Sequence, residues 1–361
     1  MGVWGRSPQG FGSDFVPAGH YVHVSKKNAM NITLYLRKPN KLTYSIERLF
    51  ADVATGLPPE IIVASCVSKY GSSGLFKRLY NCIEAIFYQG NVNHVTGDVH
   101  FLTYFLKRRR TILTIHDCFM MEKLSGFRRW LFRLLWLRIP ERCCSVITAV
   151  SEETRRQVIK YTHCNPAKVR VIHCNVSKEF VRTPKKINTT HPRLLQIGIT
   201  PNKNIERLIQ ALEGLNCTLV IIGVLTDAYK QALNRHQISY ESMENLSREA
   251  LVEQYVLCDL LVFVSLYEGF GLPIIEANAV GRPVLTSNMW SMPEVAGDAA
   301  CLVNPYSVAD IRRGLLRILE DKDYRERLID NGFINAERFG LDKIAAQYVA
   351  LYHEVGDSVR T

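Results

Sequence analysis

The chain has 361 residues, 47% hydrophobic and 22% charged, a balance that excludes a disordered or fibrous protein and leaves room for two domains of ordinary size. Its 45 Lys and Arg exceed its 34 Asp and Glu, and the formal charge of +11 implies an anionic partner: nucleic acid, an acidic lipid surface or a diphosphate-bearing substrate. No uncharged apolar run reaches the ~18 residues of a spanning helix, and the ten scattered cysteines, without C-x-x-C spacing, read as reduced, mostly buried thiols of a cytosolic protein.

Residues 1–29 are glycine-rich and aperiodic and read as an unstructured leader or tag, or else as a native mobile arm; Met30, ahead of the apolar run Ile32–Leu36, is the expected natural start. Short apolar runs then alternate with helical patterns. Strands are predicted at Ile61–Ser65, Thr111–Ile115, Val146–Val150 and Val169–His173, several of them fully apolar, as buried parallel strands are. The polar stretch Arg182–Pro192 reads as a linker. A second series follows: strand Leu194–Ile197, helix Ile205–Leu212, strands Thr218–Ile222 and Leu260–Val264, helix Pro273–Val280 and strand Pro283–Thr286. The pattern predicts an α/β protein of two doubly wound, Rossmann-like domains, 30–185 and 186–340, with a final helical segment 341–361 placed to cross back to the first domain.

Between Lys107 and Arg142 ten basic residues face three acidic ones, and GFRRWLFRLLWLRIP interleaves Arg128, Arg129 and Arg133 with Trp130, Phe132 and Trp136. This pattern fits a helix lying on an anionic membrane surface, and equally a helix packing its aromatic face on the core. His163-Cys164 and His173-Cys174 lack the spacing of zinc ligands, no D-x-D triplet is apparent, and no metal or cofactor is expected.

The segment most informative about chemistry is Asp259–Arg282, DLLVFVSLYEGFGLPIIEANAVGR. A buried strand runs into the turn Glu268-Gly269-Phe270-Gly271, and a helix opens with Pro273 in its first turn. Glycines let backbone N–H groups approach a phosphate, and the helix dipole favours its charge. Glu268 stands on the turn and Glu276 one helical turn inside, where carboxylates suit sugar hydroxyls.

Glu268–Glu276 matches the E-x7-E motif of the family 4 retaining glycosyltransferases, and the continuation GRPVLTSNMWSMPEVAGDAACLVNP resembles the same family. Leu194–Leu212 resembles its first strand, loop and helix of the nucleotide-binding domain. Val146–Phe180 resembles the end of its acceptor domain, and Thr114–Asp117 (TIHD) the strand end that presents a histidine to the donor sugar. The resemblance covers most of residues 111–340 and is weak before them.

The resemblance implies a GT-B fold, two Rossmann-like domains facing across a cleft, and a nucleotide-sugar donor as substrate. It implies that Glu276 binds the ribose, that Glu268 touches donor-sugar hydroxyls, and that Gly198, Gly269, Phe270, Gly271 and Leu272 line sugar and diphosphate. Lys203 would neutralise the diphosphate, and His116, His116 being alternatively a satisfied strand-end histidine, would contact the donor. Two departures stand out: Ile199 and Thr200 occupy the place where many members carry a second cation, and Lys38–Tyr44 lacks the paired glycines common in the acceptor domain. His94, Asp98 and His100 are left unassigned.

The expected reaction is hexosyl transfer from GDP-mannose or a UDP-sugar to a glycan or lipid-linked acceptor in bacterial surface polysaccharide synthesis. Front-face displacement, with Lys203 and oriented amides stabilising the departing diphosphate, is the expected route to retention. A nucleotide-sugar epimerase of the same fold and a non-catalytic nucleotide-sugar-binding protein are the alternatives. Nucleic acid is not an expected partner, since only net charge speaks for it. The expected location is the cytoplasm, peripheral on the inner face of the plasma membrane if residues 107–142 bind it.

Overall fold

The computed structural model describes residues 29–39 and 45–357. The leader expected at 1–29 lies outside them except for Ala29, as does most of the Lys38–Tyr44 loop.

Among the described residues, twelve strands form two parallel six-stranded sheets. The first contains β1 (Met30–Leu36), β2 (Ile61–Val67), β3 (Val92–Val95), β4 (Thr111–Ile115), β5 (Val146–Ala149) and β6 (Val169–Val171), in the order β2-β1-β3-β4-β5-β6. The second contains β7 (Arg193–Ile197), β8 (Thr218–Ile222), β9 (Ser239–Met243), β10 (Leu260–Phe263), β11 (Val284–Ser287) and β12 (Cys301–Val303), in the order β12-β11-β10-β7-β8-β9. Central strands are apolar along their whole length because helices cover both faces: every residue of β4, β5, β10 and β11 is buried.

Strand order fixes where each half can hold a ligand. In the second sheet the chain runs from β7 outward to β8 and β9, then returns to lay β10 on the other side of β7. The loops after β7 and β10 therefore leave the sheet in opposite directions and open a crevice at its carboxyl edge. The first sheet has the same reversal between β1 and β3.

The chain crosses between halves twice. After β6 it passes through the stretch ending at Pro192, and after Phe339 it returns, where Val176 N donates to Phe339 O (2.9 Å) and Val176 pairs with Gly340 in a parallel bridge. The last helix, Leu341–Asp357, packs on the helix Ser45–Thr55 and on β3 of the first half. Tyr348 meets Phe50 edge to face at 5.7 Å, and Tyr352 hydroxyl lies 2.9 Å from His94 Nδ1. One hydrophobic core consequently runs from the first half through this helix into the second.

Candidate active site

The crevice of the second half is built from two short loops tied together. β7 ends at Ile197, and Gly198 follows with φ of 81°, a left-handed conformation that glycine adopts without strain. A 3₁₀ turn, Pro201–Lys203, and left-handed Asn204 (φ 60°) complete the loop. The Asn204 amide donates to Val264 O (3.1 Å) and Pro305 O (2.7 Å), while Asn202 accepts from Leu266 N (2.7 Å) and donates to Tyr267 O (3.0 Å). These bonds aim Lys203 across the crevice. Its ammonium lies 4.5 Å from the Phe263 ring centroid and donates to Glu268 Oε1 at 2.7 Å, where Asn202 Nδ2 also reaches at 3.3 Å. A Cβ at position 198 would sit 3.0 Å from Lys203 Cε, so Gly198 leaves space for the lysine stem.

The turn Glu268–Gly271 rests on the first half. A Cβ on Gly269 would lie 1.9 Å from the carbonyl oxygen of His116, so glycine is required for this approach. Ser151 and Thr154 hydroxyls donate to Gly269 O (2.7 and 3.1 Å), and Ser291 Oγ stands 2.9 and 2.8 Å from the carbonyls of Glu268 and Phe270. Tyr267 hydroxyl accepts from Cys118 N (3.1 Å) and donates to Gln157 (2.8 Å). Glu294 completes the seam by accepting from the backbone N–H groups of Glu152 (2.8 Å) and Glu153 (3.3 Å), at the start of the helix Glu152–Thr162, and from His173 (2.9 Å). These contacts and burial act in opposite senses on the Glu294 carboxyl; the contacts prevail and hold it below the ordinary range.

Gly271, with φ of 109°, opens the helix Leu272–Val280. Its dipole supplies partial positive charge on the side of the crevice where Lys203 stands, although Pro273 has no N–H and Ile274 N donates to Gly271 O (3.0 Å). Phe270 directs its ring into the seam, 5.9 Å from His173 and 5.5 Å from Phe339, away from the crevice it was expected to line, and its carbonyl is held by Ser291. Glu276, 8% exposed, belongs to a neighbouring cluster. Its Oε2 accepts from Tyr255 hydroxyl at 2.5 Å, and its Oε1 lies 3.7 Å from Arg248, whose guanidinium covers the Phe180 ring at 4.6 Å and pairs with Glu179. Burial raises the Glu276 carboxyl above the ordinary carboxylate range, against the opposing pull of Tyr255 and Arg248.

His116, at the end of β4, places Nε2 2.7 Å from Thr96 O. A carbonyl only accepts, so Nε2 carries the proton and Nδ1 of the neutral ring keeps its lone pair. Burial lowers the His116 pKa and maintains that neutral form. The structure thus gathers Gly198, Lys203, Glu268, Gly269, Gly271 and Leu272 at one crevice, sets the His116 backbone against it, and puts Glu276 one turn deeper. His94, left unassigned from sequence, is occupied structurally between Tyr352 and Thr114 (2.7 Å), and His100 bonds Trp136 O (2.7 Å).

Sequence reasoning missed Arg248 and Tyr255, the partners of Glu276, and Ser151, Thr154, Tyr267 and Glu294, which join the halves. Ser151 gave a local signal, being a Ser at the N-cap before Glu152 and Glu153 with its side chain accepting from Thr154 N. Tyr255, 21 positions before Glu276, gave none.

Residues 177–334 match the family described as glycosyl transferases group 1, and residues 76–180 match glycosyltransferase family 4. The serotype-specific mannosyltransferase WbdA of Escherichia coli is 30% identical over 247 residues, covering 61% of this chain and 28% of WbdA. The MMP alpha-(1->4)-mannosyltransferase of Mycolicibacterium hassiacum is 40% identical over 243 residues, covering 63% of this chain and 58% of that enzyme. The match therefore spans from about a quarter to three fifths of these relatives. Among solved structures, Anabaena HepE in complex with UDP and glucose superposes with a TM-score of 0.74 over 90% of this chain and 100% of that one, at 16% identity, which establishes a shared fold. Each half therefore carries a glycosyltransferase domain, family 4 at residues 76–180 and group 1 at residues 177–334, and the chain has the GT-B fold of its structural neighbours.

Proposed function

We propose that the protein transfers a hexosyl group, with retention, from GDP-mannose or a UDP-sugar to a glycan or lipid-linked acceptor of a bacterial surface polysaccharide. The observation that carries this reading is the Lys203–Glu268 pair at the β7/β10 crevice, 2.7 Å apart and beside two glycines. Without donor, cation and carboxylate neutralise each other. An entering diphosphate competes for Lys203 and releases Glu268 to accept from the sugar hydroxyls. Charge grows on the diphosphate as the glycosidic bond breaks, so Lys203 and the dipole at the start of Leu272–Val280 stabilise the transition state more than the bound donor. The departing phosphate then takes the proton of the acceptor hydroxyl on the face it leaves, and no pair of carboxylates flanking the bond is needed.

Glu276, with Oε2 committed to Tyr255 and Oε1 3.7 Å from Arg248, has acceptor capacity left on Oε1 for a ribose hydroxyl. His116 Nδ1 offers an acceptor to the donor sugar. Lys203 and the helix N-terminus serve in place of a divalent ion. Mannose as the sugar is supported by the names of the two relatives, while UDP in the HepE complex keeps uridine donors open. The basic segment Lys107–Arg142 would hold the protein to an anionic inner membrane surface.

The test is incubation with GDP-mannose and UDP-glucose, each with and without a lipid-linked glycan extract. Acceptor-dependent release of nucleoside diphosphate in EDTA, with the product anomer matching the donor's, is expected. A donor altered without acceptor marks an epimerase, and activity lost in EDTA but restored by magnesium or manganese removes the role given to Lys203.

A further inference from the structure

Helices on one face of the first sheet present an unusual amount of apolar surface to solvent. The helix Leu75–Ile86 packs Cys82 and Ala85 inward, yet Leu75, Phe76, Leu79, Ile83, Ile86 and the following Phe87 are exposed, Phe76 by 85% and Phe87 by 77%. Recurring every three or four positions, they form one continuous stripe along the helix. The neighbouring helix Gly126–Phe132 shows Phe127, 72% exposed, stacked on exposed Trp130 at 5.6 Å. The two helices belong to one layer: the Arg78 guanidinium lies 4.5 Å from the Trp136 ring, and Trp136 stacks on Phe132 at 5.6 Å. Trp136 also meets Phe101 at 5.9 Å, so the segment read from sequence as either membrane-facing or core-packing divides between the two.

Exposed apolar stripes mark contact surfaces, and charge identifies the partner. From Lys69 to Arg142 there are thirteen Lys and Arg against five Asp and Glu, a net +8 within a chain whose total is +11. Arg128 is exposed next to Phe127, Lys69 lies 5.2 Å from the Tyr80 ring of the helix Leu75–Ile86, and exposed Arg108 and Arg109 precede β4, where Lys107 N donates to Gln89 (2.8 Å) just beyond Phe87. Aromatic and aliphatic side chains rimmed by basic ones suit the interface of an anionic bilayer, where rings enter the acyl boundary and long cations reach the headgroups. A second copy of this chain would bring +11 against +11.

We propose that this layer docks on an anionic lipid bilayer with the helix Leu75–Ile86 as its apolar anchor and the basic segment Lys107–Arg142 as its electrostatic rim. The inference rests on the membrane reading of the basic segment and adds a different element as the anchor. It also fixes orientation. The helix starts a short loop beyond Val67, at the carboxyl edge of the first sheet, the edge from which His116 meets the donor loop. Docked this way, the protein holds its seam beside the lipid surface, within reach of an acceptor carried there.

Cosedimentation of the full chain with phosphatidylcholine vesicles, with and without phosphatidylglycerol, tests it. The wild type should bind the anionic vesicles at least about tenfold better than neutral ones, with salt weakening the difference. Phe76→Glu/Ile83→Glu/Phe87→Glu should lose about tenfold or more on anionic vesicles, and Arg108→Glu/Arg109→Glu/Arg128→Glu should lose the salt-sensitive part. Both variants change exposed positions and should keep wild-type Tm and nucleoside diphosphate affinity. The proposal is overturned if the wild type ignores anionic vesicles. It is equally overturned if the apolar variant binds as the wild type does, or if sedimentation velocity shows a dimer that this variant dissociates and vesicles do not compete for. Nucleoside diphosphate binding is measured separately, so a failed docking surface leaves the transferase reading standing, and the reverse.

Discussion

Glu268 and Glu276 lie eight positions apart on one turn and helix, yet they occupy opposite surroundings. At the mouth of the crevice Glu268 pairs with the Lys203 cation, whereas Glu276 takes its nearest bond from a neutral tyrosine; the two side chains are similarly covered, 15% and 11% exposed. A carboxylate held by a cation is released when a stronger anion claims that cation, so Glu268 can follow the reaction. One held in a fixed buried network keeps its geometry throughout and suits a grip on the part of the donor that does not react. Mobility of charge at the mouth and fixity inside are the difference the fold creates.

The largest effect is expected where the turn itself is displaced. Gly269→Ala puts a methyl group 1.9 Å from His116 O, and either the turn or β4 must move; we expect turnover to fall below detection and stability to drop by about 3 kcal/mol. Gly214→Ala is the control, because a Cβ there meets no atom within 4 Å and only the positive φ of 71° is strained, at about 1 kcal/mol. Thermal melts of both proteins beside turnover measure the contrast. Equal losses would mean that the close approach at the seam is not what the glycine provides.

Lys203→Met comes next and removes the mobile half of the comparison. Turnover should fall by about 10²–10³-fold, as when one preorganised donor to a developing anion is lost, with a smaller loss in nucleoside diphosphate affinity. Tyr255→Phe probes the fixed half more gently. It frees Glu276 Oε2 and should weaken nucleotide binding by about 1 kcal/mol through lost positioning, leaving turnover at saturation near wild type. A turnover loss as large as that of Lys203→Met would erase the distinction between the two clusters.

Acidity separates the regions with a still smaller effect. Burial raises the Glu276 carboxyl, so on acidification it takes up its proton before an ordinary carboxylate does and, in the role proposed for it, would lose a ribose hydroxyl's acceptor. Nucleotide affinity should therefore decline on the acid side at a pH above the usual carboxylate range, and the decline should vanish in Glu276→Gln. Stability follows a different group. His94 is buried, with its pKa pushed down to about 3, while an unfolded histidine takes its proton near 6.5. The depressed folded value means that its contribution is complete above about 6.5 and is lost as pH falls from there toward about 3. His94→Gln should flatten part of that limb in thermal melts, the remainder belonging to His100 and His116, which burial also lowers.

How much of this was legible in the sequence depended on whether a segment's neighbours were local. The strands Thr111–Ile115 and Thr218–Ile222 and the helix Ile205–Leu212 carry their own apolar patterns and have the bounds expected of them. β3 was passed over because Asn93 and His94 break its apolar run. Both are buried, and their polar atoms are satisfied by Gln89 and Gly90 and by Thr114 and Tyr352, the last from a helix 258 positions away. β9 was missed for the opposite reason: an edge strand, Ser239–Met243, has no buried face to write into the sequence. At the site, the turn Glu268–Gly271 was legible from its glycines and its resemblance. The clamp on it was not, since Ser151 reaches Gly269 across 118 positions and Glu294 reaches Glu152 across 142. Exposed Phe76 and Phe87 gave no warning either, because an apolar helical stripe reads as core until the packing shows which side is covered.

The measurement that bears most directly on the division between the two glutamates is calorimetry with nucleoside diphosphate, run beside steady-state kinetics on Glu268→Gln and Glu276→Gln. Glu276→Gln should weaken nucleotide binding by about 1.5–3 kcal/mol, the value of a lost charge-assisted hydrogen bond, and leave turnover at saturating donor little changed. Glu268→Gln should lower turnover while nucleoside diphosphate affinity stays near wild type, since it answers to charge that appears on the sugar in the transition state. If both variants kept wild-type affinity and turnover, or if the two effects were exchanged, the roles assigned to this pair would be wrong.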